Sequence, residues 1–370
     1  MPNQENTYAG QLTALQNEVL EFLRTFESIQ EQLRPGSLAD HQARMVSAVR
    51  DIFRRFESSF VSSTPPPGQE ELHQRLCAAV RELGKAYELF MTQPSPQWTL
   101  IYLYSRAAFC RALYQLYALR DQLPLIAGHF LLDGAPAPTP APAPTPAPAA
   151  SAATTGFIQR KRNQERSDYT LYIPEDYSHD KPLPLIVALH GGHGHGSEYI
   201  WTWVRPARSR GYAILSPKSW GDTWDMSLPS PDTRSFQRMF NEVTNEYSID
   251  LARVYLTGLS DGGIFTYILG LEHSHLFRGL APVAGALHPV VDPMLRQERG
   301  KDTPMLVIHG VHDFIFPVAF ARQTCELLES IGYQVTYHEL PEWGHAYPYS
   351  INEQLVLPWF ESLPAKGPES

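Results

Sequence analysis

The sequence predicts two regions of different fold class: an all-α helical bundle over residues 1–134, and an α/β domain with a doubly wound, mainly parallel sheet over residues 156–364. Three observations support this division. Before residue 134, apolar residues recur every three or four positions. After residue 156, short apolar runs alternate with segments of helical character. Residues 135–155 between them form a linker rich in Ala, Pro and Thr.

The N-terminal region contains four stretches with the spacing of amphipathic helices. Pro-containing breaks separate them, and their apolar residues lie within 12–29, 45–60, 72–90 and about 97–122. Four such helices joined by short connections predict a bundle. Because no residue pattern here points to catalysis, we expect the bundle to serve self-association or docking of a protein partner.

The linker contains an Ala-Pro-Thr repeat from Ala135 to Ala150, without charged or large apolar residues. Alternating proline disfavours both helix and sheet and favours extended polyproline II. We therefore expect a semi-rigid spacer that holds the two regions apart.

Composition and charge exclude several classes of function. The net charge is −9, which gives no reason to expect nucleic-acid binding. The three cysteines are far apart and have neither metal-ligand spacing nor a disulfide framework. The first residues lack the features of a secretory signal, and no apolar run is long enough to span a membrane. We therefore expect a soluble, cytoplasmic protein.

The C-terminal region contains seven strand-like stretches. They cover residues 168–174, 183–189, 212–217, 253–257, 279–283, 305–308 and 334–338. The continuous apolar run over 183–189 is typical of a strand buried on both faces of a parallel sheet. A terminal helix is expected over 352–360.

A Gly-x-Ser-x-Gly pattern, centred on Ser260, lies between the fourth of these strands and a helical segment. A serine at such a sharp turn exposes its hydroxyl, and Gly258 and Gly262 avoid collisions between a Cβ and the backbone. Asp261 is the first residue of the helical segment, and its backbone N–H is a candidate oxyanion donor. The alternative is a Gly-rich loop in which Ser260 is only a helix N-cap.

A second glycine-rich turn, which contains Gly192, follows the strand at 183–189. Such a turn exposes backbone N–H groups, so Gly192 is the candidate for the second oxyanion donor. The alternative is a metal site formed by His190, His193 and His195. No carboxylate or cysteine accompanies these histidines, so we expect no metal.

Two further strands end in residues that complete a nucleophilic mechanism. Asp313 follows the strand at 305–308, and His345 lies in a Gly-containing loop after the last strand. A carboxylate in such a turn can orient an imidazole across the edge of the sheet. Asp292 and Asp302 are alternative carboxylates in poorer context. The order Ser260, Asp313, His345 is the order that a Ser-Asp-His triad takes on this kind of sheet.

On these motifs the last 215 or so residues resemble the α/β-hydrolases, and most closely the group of polyhydroxyalkanoate depolymerases, feruloyl esterases and phospholipase/carboxylesterases. The matching segments are His190-Gly191-Gly192, Gly258 to Gly263, Gly310 to Asp313, and Gly344-His345. The resemblance implies hydrolysis of a small-molecule carboxylic ester through an acyl-enzyme, with no cofactor. Secreted depolymerases carry signal peptides and often cysteine pairs, and their absence here argues against extracellular polymer hydrolysis.

Two questions stay open at the level of sequence. Trp220 and Trp224 either form an apolar wall for the substrate or pack the domain. The same triad would also serve a peptidase or a thioesterase, and a non-catalytic adaptor acting through its helical region is the alternative of a different class.

Overall fold

The computed structural model describes residues 7–34, 36–49, 52–95, 97–137, 154–161 and 168–364. Contacts between residues divide the chain into two compact units, Met1–Asp133 and Gly134–Ser370. Of the expected linker, residues 138–153 lie outside the described ranges. The polyproline II conformation of that segment therefore stays a prediction.

The N-terminal unit is helical, as predicted. Its helices are α1 (Tyr8–Gln32), α2 (Leu38–Val49), α3 (Ile52–Arg55), α4 (Glu70–Phe90), α5 (Trp98–Ala118) and α6 (Pro124–His129), and a π-helical turn covers Phe56–Phe60. The fourth predicted helix ends earlier than expected, and α6 was not predicted. Aromatic packing joins α1 to its neighbours, because the ring of Phe26 lies 5.6 Å from Phe90 and 4.9 Å from Phe109.

The C-terminal unit is built on one eight-stranded sheet. The strands are β1 (Gly156–Arg160), β2 (Tyr169–Ile173), β3 (Leu183–Leu189), β4 (Ala213–Pro217), β5 (Ile249–Leu259), β6 (Gly279–Val283), β7 (Met305–Gly310) and β8 (Val335–Leu340). Their order is β1-β2-β4-β3-β5-β6-β7-β8. Strands β1 and β2 run antiparallel to their neighbours, and the others are parallel. The predicted doubly wound sheet is confirmed, and the short edge strand β1 is an addition to it.

Helices cover both faces of this sheet and alternate with the strands. They are α7 (Gly196–Tyr199), α8 (Val204–Arg210), α9 (Pro231–Glu246), α10 (Asp261–Glu272), α11 (Asp292–Arg296), α12 (Val318–Ser330), α13 (Tyr349–Ile351) and α14 (Leu357–Ser362). The predicted terminal helix is interrupted, because a π-helical turn over Asn352–Val356 separates α13 from α14. Pro358 lies at the start of α14 and has no backbone N–H. It therefore cannot donate the hydrogen bond that would continue a regular helix from the preceding turn.

All three cysteines are buried: Cys77 and Cys110 in the N-terminal unit, and Cys325 in the C-terminal unit. Burial raises the pKa of the Cys325 thiol to about 12, and nearby glutamates add to the effect. Within the described ranges, no helix is long and apolar enough to cross a membrane.

The carboxyl ends of the parallel strands lie at one edge of the sheet, where the loops that follow them come together. The loops after β7 and β8 approach very closely there. A Cβ added to Gly310 would stand 2.3 Å from the carbonyl oxygen of Trp343 and 2.8 Å from that of Gly344. The absence of a side chain at Gly310 thus allows the loop that carries His345 to lie against the end of β7.

We predict that Gly310→Ala lowers the free energy of unfolding of the C-terminal unit by about 2–4 kcal/mol, because backbone atoms cannot yield to the added methyl group. Gly221→Ala is the matched control, since its new Cβ would have ordinary contacts starting at 3.5 Å. Urea unfolding of both variants tests the prediction, and equal stability would contradict it.

Candidate active site

Ser260 occupies a sharp turn between β5 and α10. Its backbone has φ 59° and ψ −122°, a strained conformation for a residue with a side chain. An added Cβ at Gly258 would stand 2.3 Å from the Gly262 carbonyl oxygen, and one at Gly262 would stand 2.4 Å from that of Leu189. Both glycines are therefore required for the turn, and the turn holds Ser260 half-buried at the edge of the sheet.

The glycine-rich loop after β3 lies directly beside this turn. An added Cβ on Gly191 would be 3.3 Å from Cβ of Ser260, and one on Gly192 would be 2.6 Å from Oδ2 of Asp261. Among the described residues, no acceptor is bonded to the backbone N–H of Gly192 or Asp261. The structure thus brings the two predicted oxyanion donors into the same small region as Ser260.

His190 is a structural part of the glycine-rich loop after β3, residues 190–195, which we call the oxyanion loop because it contains the predicted oxyanion donor Gly192. Its Nε2 accepts a hydrogen bond from the Ser219 N–H at 3.1 Å, so Nδ1 carries the proton and donates to the Gly191 carbonyl at 2.6 Å. Burial, assisted by the charge of Lys218, lowers the pKa of His190 to about 3. The ring is therefore neutral over the whole range in which most enzymes work, and it fixes the loop by two hydrogen bonds.

The histidines of this loop do not gather as ligands. Both nitrogens of His190 are used within the protein, and Nδ1 of His195 lies 3.1 Å from the Ser197 N–H and 2.8 Å from its hydroxyl. In the described part of the chain, no three His, Cys, Asp or Glu side chains are arranged to hold a metal ion.

Asp313 and His345 form a direct pair. Nδ1 of His345 lies 2.8 Å from Oδ2 of Asp313, and Oδ1 of Asp313 accepts the N–H groups of Ile315 and Phe316 at 2.9 and 2.8 Å. Because the carboxylate only accepts, Nδ1 of His345 carries the proton and Nε2 is free to act as a base. The alternative carboxylates, Asp292 and Asp302, are exposed.

The pKa of Asp313 reflects two opposing effects. Burial alone would raise it, but hydrogen bonds from His309 and His345, together with the backbone N–H of Phe316, lower the pKa well below its usual range. Asp313 is therefore an anion under all ordinary conditions, as an orienting carboxylate must be.

No hydrogen bond joins the Ser260 hydroxyl to His345 in the described part of the protein. Catalytic hydrogen bonds of substrate-free enzymes are often long and shorten in the complex with substrate. The structure thus forms the histidine–carboxylate half of the expected triad directly, with Ser260 on a separate turn at the same edge of the sheet.

His309 is a further partner of Asp313, and the sequence motifs do not indicate it. This fully buried ring places Nε2 at 2.7 Å from the Phe316 carbonyl and 3.3 Å from Oδ2 of Asp313. A carbonyl only accepts, so Nε2 of His309 carries a proton. The signal in the sequence was a lone histidine at the end of an apolar strand, four residues before the turn carboxylate.

The two predicted substrate-binding tryptophans differ in environment. Trp220 is 40% exposed, whereas Trp224 is only 3% exposed. The indole of Trp224 stacks on Phe265 with ring centres 5.0 Å apart and donates to the His190 carbonyl at 2.7 Å. These contacts favour the packing alternative for Trp224, which lies against the loop that carries His190, and its role in substrate binding stays a prediction. Most of the surface of its large apolar ring is covered by packing contacts.

The sheet order, the turn at Ser260 and the Asp313–His345 pair agree with a comparison to known families. Residues 225–355 match the phospholipase/carboxylesterase family. The C-terminal unit has the α/β-hydrolase fold. The match includes Ser260, Asp313 and His345, and it begins after the oxyanion loop.

Curated relatives of the α/β-hydrolase unit are named as esterases. Feruloyl esterase C of Emericella nidulans is 29% identical over 160 residues, which are 41% of this chain and 56% of that protein. A bifunctional acetylxylan esterase/xylanase of Neocallimastix patriciarum is 29% identical over 150 residues, 40% of this chain and 21% of that protein. This chain thus spans about half or less of the length of these relatives.

Among solved structures, the chain is similar to the S-formylglutathione hydrolase of Staphylococcus aureus. It is 16% identical, covers 56% of this chain and 99% of its own, and superposes with a TM-score of 0.49.

The environment of Asp313 predicts a pH-dependent contribution to stability. Its pKa is lower in the folded than in the unfolded protein, so the contribution is present above the ordinary aspartate pKa, near 4, and is lost as the pH falls below it. We expect Asp313→Asn to be destabilising at pH 5–7 and the difference from the wild type to shrink between pH 4 and pH 2. Chemical denaturation across this range measures the effect, and a difference that is independent of pH would contradict it.

Proposed function

We propose that the α/β-hydrolase unit cleaves carboxylic esters, with Ser260 as nucleophile, His345 as general base and Asp313 as the orienting carboxylate. The observation that carries this proposal is the 2.8 Å contact between His345 Nδ1 and Asp313 Oδ2, at the same edge of the sheet as a strained serine turn. A protein without chemistry to perform has no physical need for this combination. The esterase names of the relatives support the same reaction class.

Acylation follows from the tautomer that Asp313 imposes. His345 Nε2 takes the proton of the Ser260 hydroxyl while its oxygen attacks the ester carbonyl. The N–H groups of Gly192 and Asp261 receive the negative charge that develops on the carbonyl oxygen. Collapse of the tetrahedral intermediate breaks the bond to the alcohol, which leaves with the proton from His345 and yields an acyl-Ser260.

Deacylation repeats these steps with water as the nucleophile. His345 Nε2 accepts a proton from water, the hydroxide attacks the acyl carbonyl, and the same two N–H groups hold the oxyanion. The proton then returns from His345 to the Ser260 oxygen, and the acid is released. The residues named here account for every proton, so the proposed cycle uses no cofactor.

The substrate, the location and the role of the helical unit are also proposals. We propose a small-molecule ester as substrate, a cytoplasmic location, and self-association or protein docking through the N-terminal unit. Peptidase or thioesterase chemistry on the same residues is the alternative that an assay must separate from ester hydrolysis.

We predict that Ser260→Ala lowers turnover of a nitrophenyl ester on the order of a millionfold and abolishes labelling by a fluorophosphonate probe. The matched control is Ser274→Ala, a half-buried serine just beyond the other end of α10. Parallel assays with a thioester and an anilide identify the preferred acyl donor. A folded Ser260→Ala protein with near wild-type ester hydrolysis would exclude this mechanism.

A second prediction is that ester hydrolysis does not require the N-terminal unit. Every residue assigned to the chemistry lies in the unit Gly134–Ser370, which has a hydrophobic core of its own. Residues 151–370 alone should therefore fold and hydrolyse short-chain esters with kcat/KM within about a factor of ten of the full chain. If the fragment is folded but inactive and residues 1–134 restore turnover in trans, the helical unit completes the active site.

A further inference from the structure

The side chain of Asp261 occupies a position that the proposed mechanism does not use. Only its backbone N–H is assigned to the oxyanion. Its carboxylate oxygen Oδ2 accepts a hydrogen bond from the Thr223 hydroxyl at 2.5 Å and lies 2.6 Å from the point that a Cβ on Gly192 would occupy. A carboxylate therefore stands directly against the backbone of the oxyanion loop.

The charge of this carboxylate is not neutralised by a neighbour. Among the described residues, no cationic side chain forms an ion pair with Asp261, and its hydrogen-bond partner Thr223 is neutral. Lys218, on the loop that also carries Thr223, donates to the Gly221 carbonyl at 2.7 Å and to the Ser219 hydroxyl at 2.8 Å. The start of α10 favours an anion at this place, since helix N-termini stabilise negative charge.

We propose that the Asp261 carboxylate is a specificity-determining group, which selects neutral and cationic esters and disfavours anionic esters. This proposal rests on the proposed ester hydrolysis at Ser260. The ester carbonyl oxygen must lie near the Gly192 N–H to be held in the oxyanion site. An anionic group of the substrate on the side of the Gly192 backbone then faces the Asp261 carboxylate and is repelled.

The repulsion is large enough to be measured. The interaction between two charges is stronger in a partly buried site than in bulk water, and solvent at an open site weakens it. Because Asp261 is half-buried, we expect selectivity against an anionic ester of about three- to tenfold.

The test uses aryl acetates that share one acyl group and differ in charge: 4-acetoxybenzoate, 4-acetoxybenzamide and 4-acetoxyphenyl-trimethylammonium. Asp261→Asn removes the charge and retains the backbone N–H and a side-chain oxygen for the Thr223 hydroxyl. We expect kcat/KM for the anionic ester, divided by that for the neutral one, to rise about three- to tenfold in this variant. The ratio for the cationic ester should fall.

The matched control is Asp180→Asn, which removes the same charge from an exposed position before the start of β3. This is the opposite end of the strand from the oxyanion loop, so its substrate ratios should equal those of the wild type. In the wild type, raising the ionic strength should move the anionic-to-neutral ratio in the same direction as Asp261→Asn. This second measurement does not require any variant to fold.

Hydrolysis of the neutral ester separates the two proposals. If Asp261→Asn hydrolyses 4-acetoxybenzamide but keeps the wild-type ratios, the role of the Asp261 charge is excluded while ester hydrolysis stands. If the variant does not fold, the salt dependence of the wild type decides: an anionic-to-neutral ratio that does not change with salt also excludes the role of the Asp261 charge. If the wild type hydrolyses no ester and takes no fluorophosphonate label, the proposed function fails, and this inference fails with it.

Discussion

The close approach of backbone atoms at the end of β5 is the constraint on which the candidate site depends. Gly258 and Gly262 let the chain reverse within a few residues, so that Ser260 leaves the sheet and α10 begins at once. The same turn brings the first N–H of α10 beside the loop after β3. One steric requirement therefore fixes the position of the proposed nucleophile and of both proposed oxyanion donors.

A second constraint connects the two loops on the other side of the site. The carboxylate of Asp313 accepts two N–H groups of its own turn, and its remaining oxygen faces His345 and His309. These hydrogen bonds keep the buried carboxylate ionised and hold it in one position. The position of His345 is thus set by backbone packing at Gly310 and by this charge together, so that neither loop can shift alone.

Most of the fold and of the site could be predicted from sequence because both rest on local patterns. Buried strands appear as apolar runs, and residues such as Ser260 and His345 stand next to glycines that only a tight turn requires. The burial of Trp224 and the contact of His309 with Asp313 depend on neighbours distant in the chain or across a loop. The spacing of residues in the sequence does not carry that information. A tryptophan gives the same sequence pattern whether its side chain lines a pocket or packs in the core below one.

The three buried thiols make the two units separately observable. Cys325 lies in the α/β-hydrolase unit, whereas Cys77 and Cys110 lie in the helical unit. A thiol reagent can modify these side chains only when the surrounding core opens, and the raised pKa of Cys325 keeps it unreactive until then. Peptide-resolved labelling during denaturation therefore reports the opening of each core independently, and shows whether the two units unfold as one cooperative body or as two.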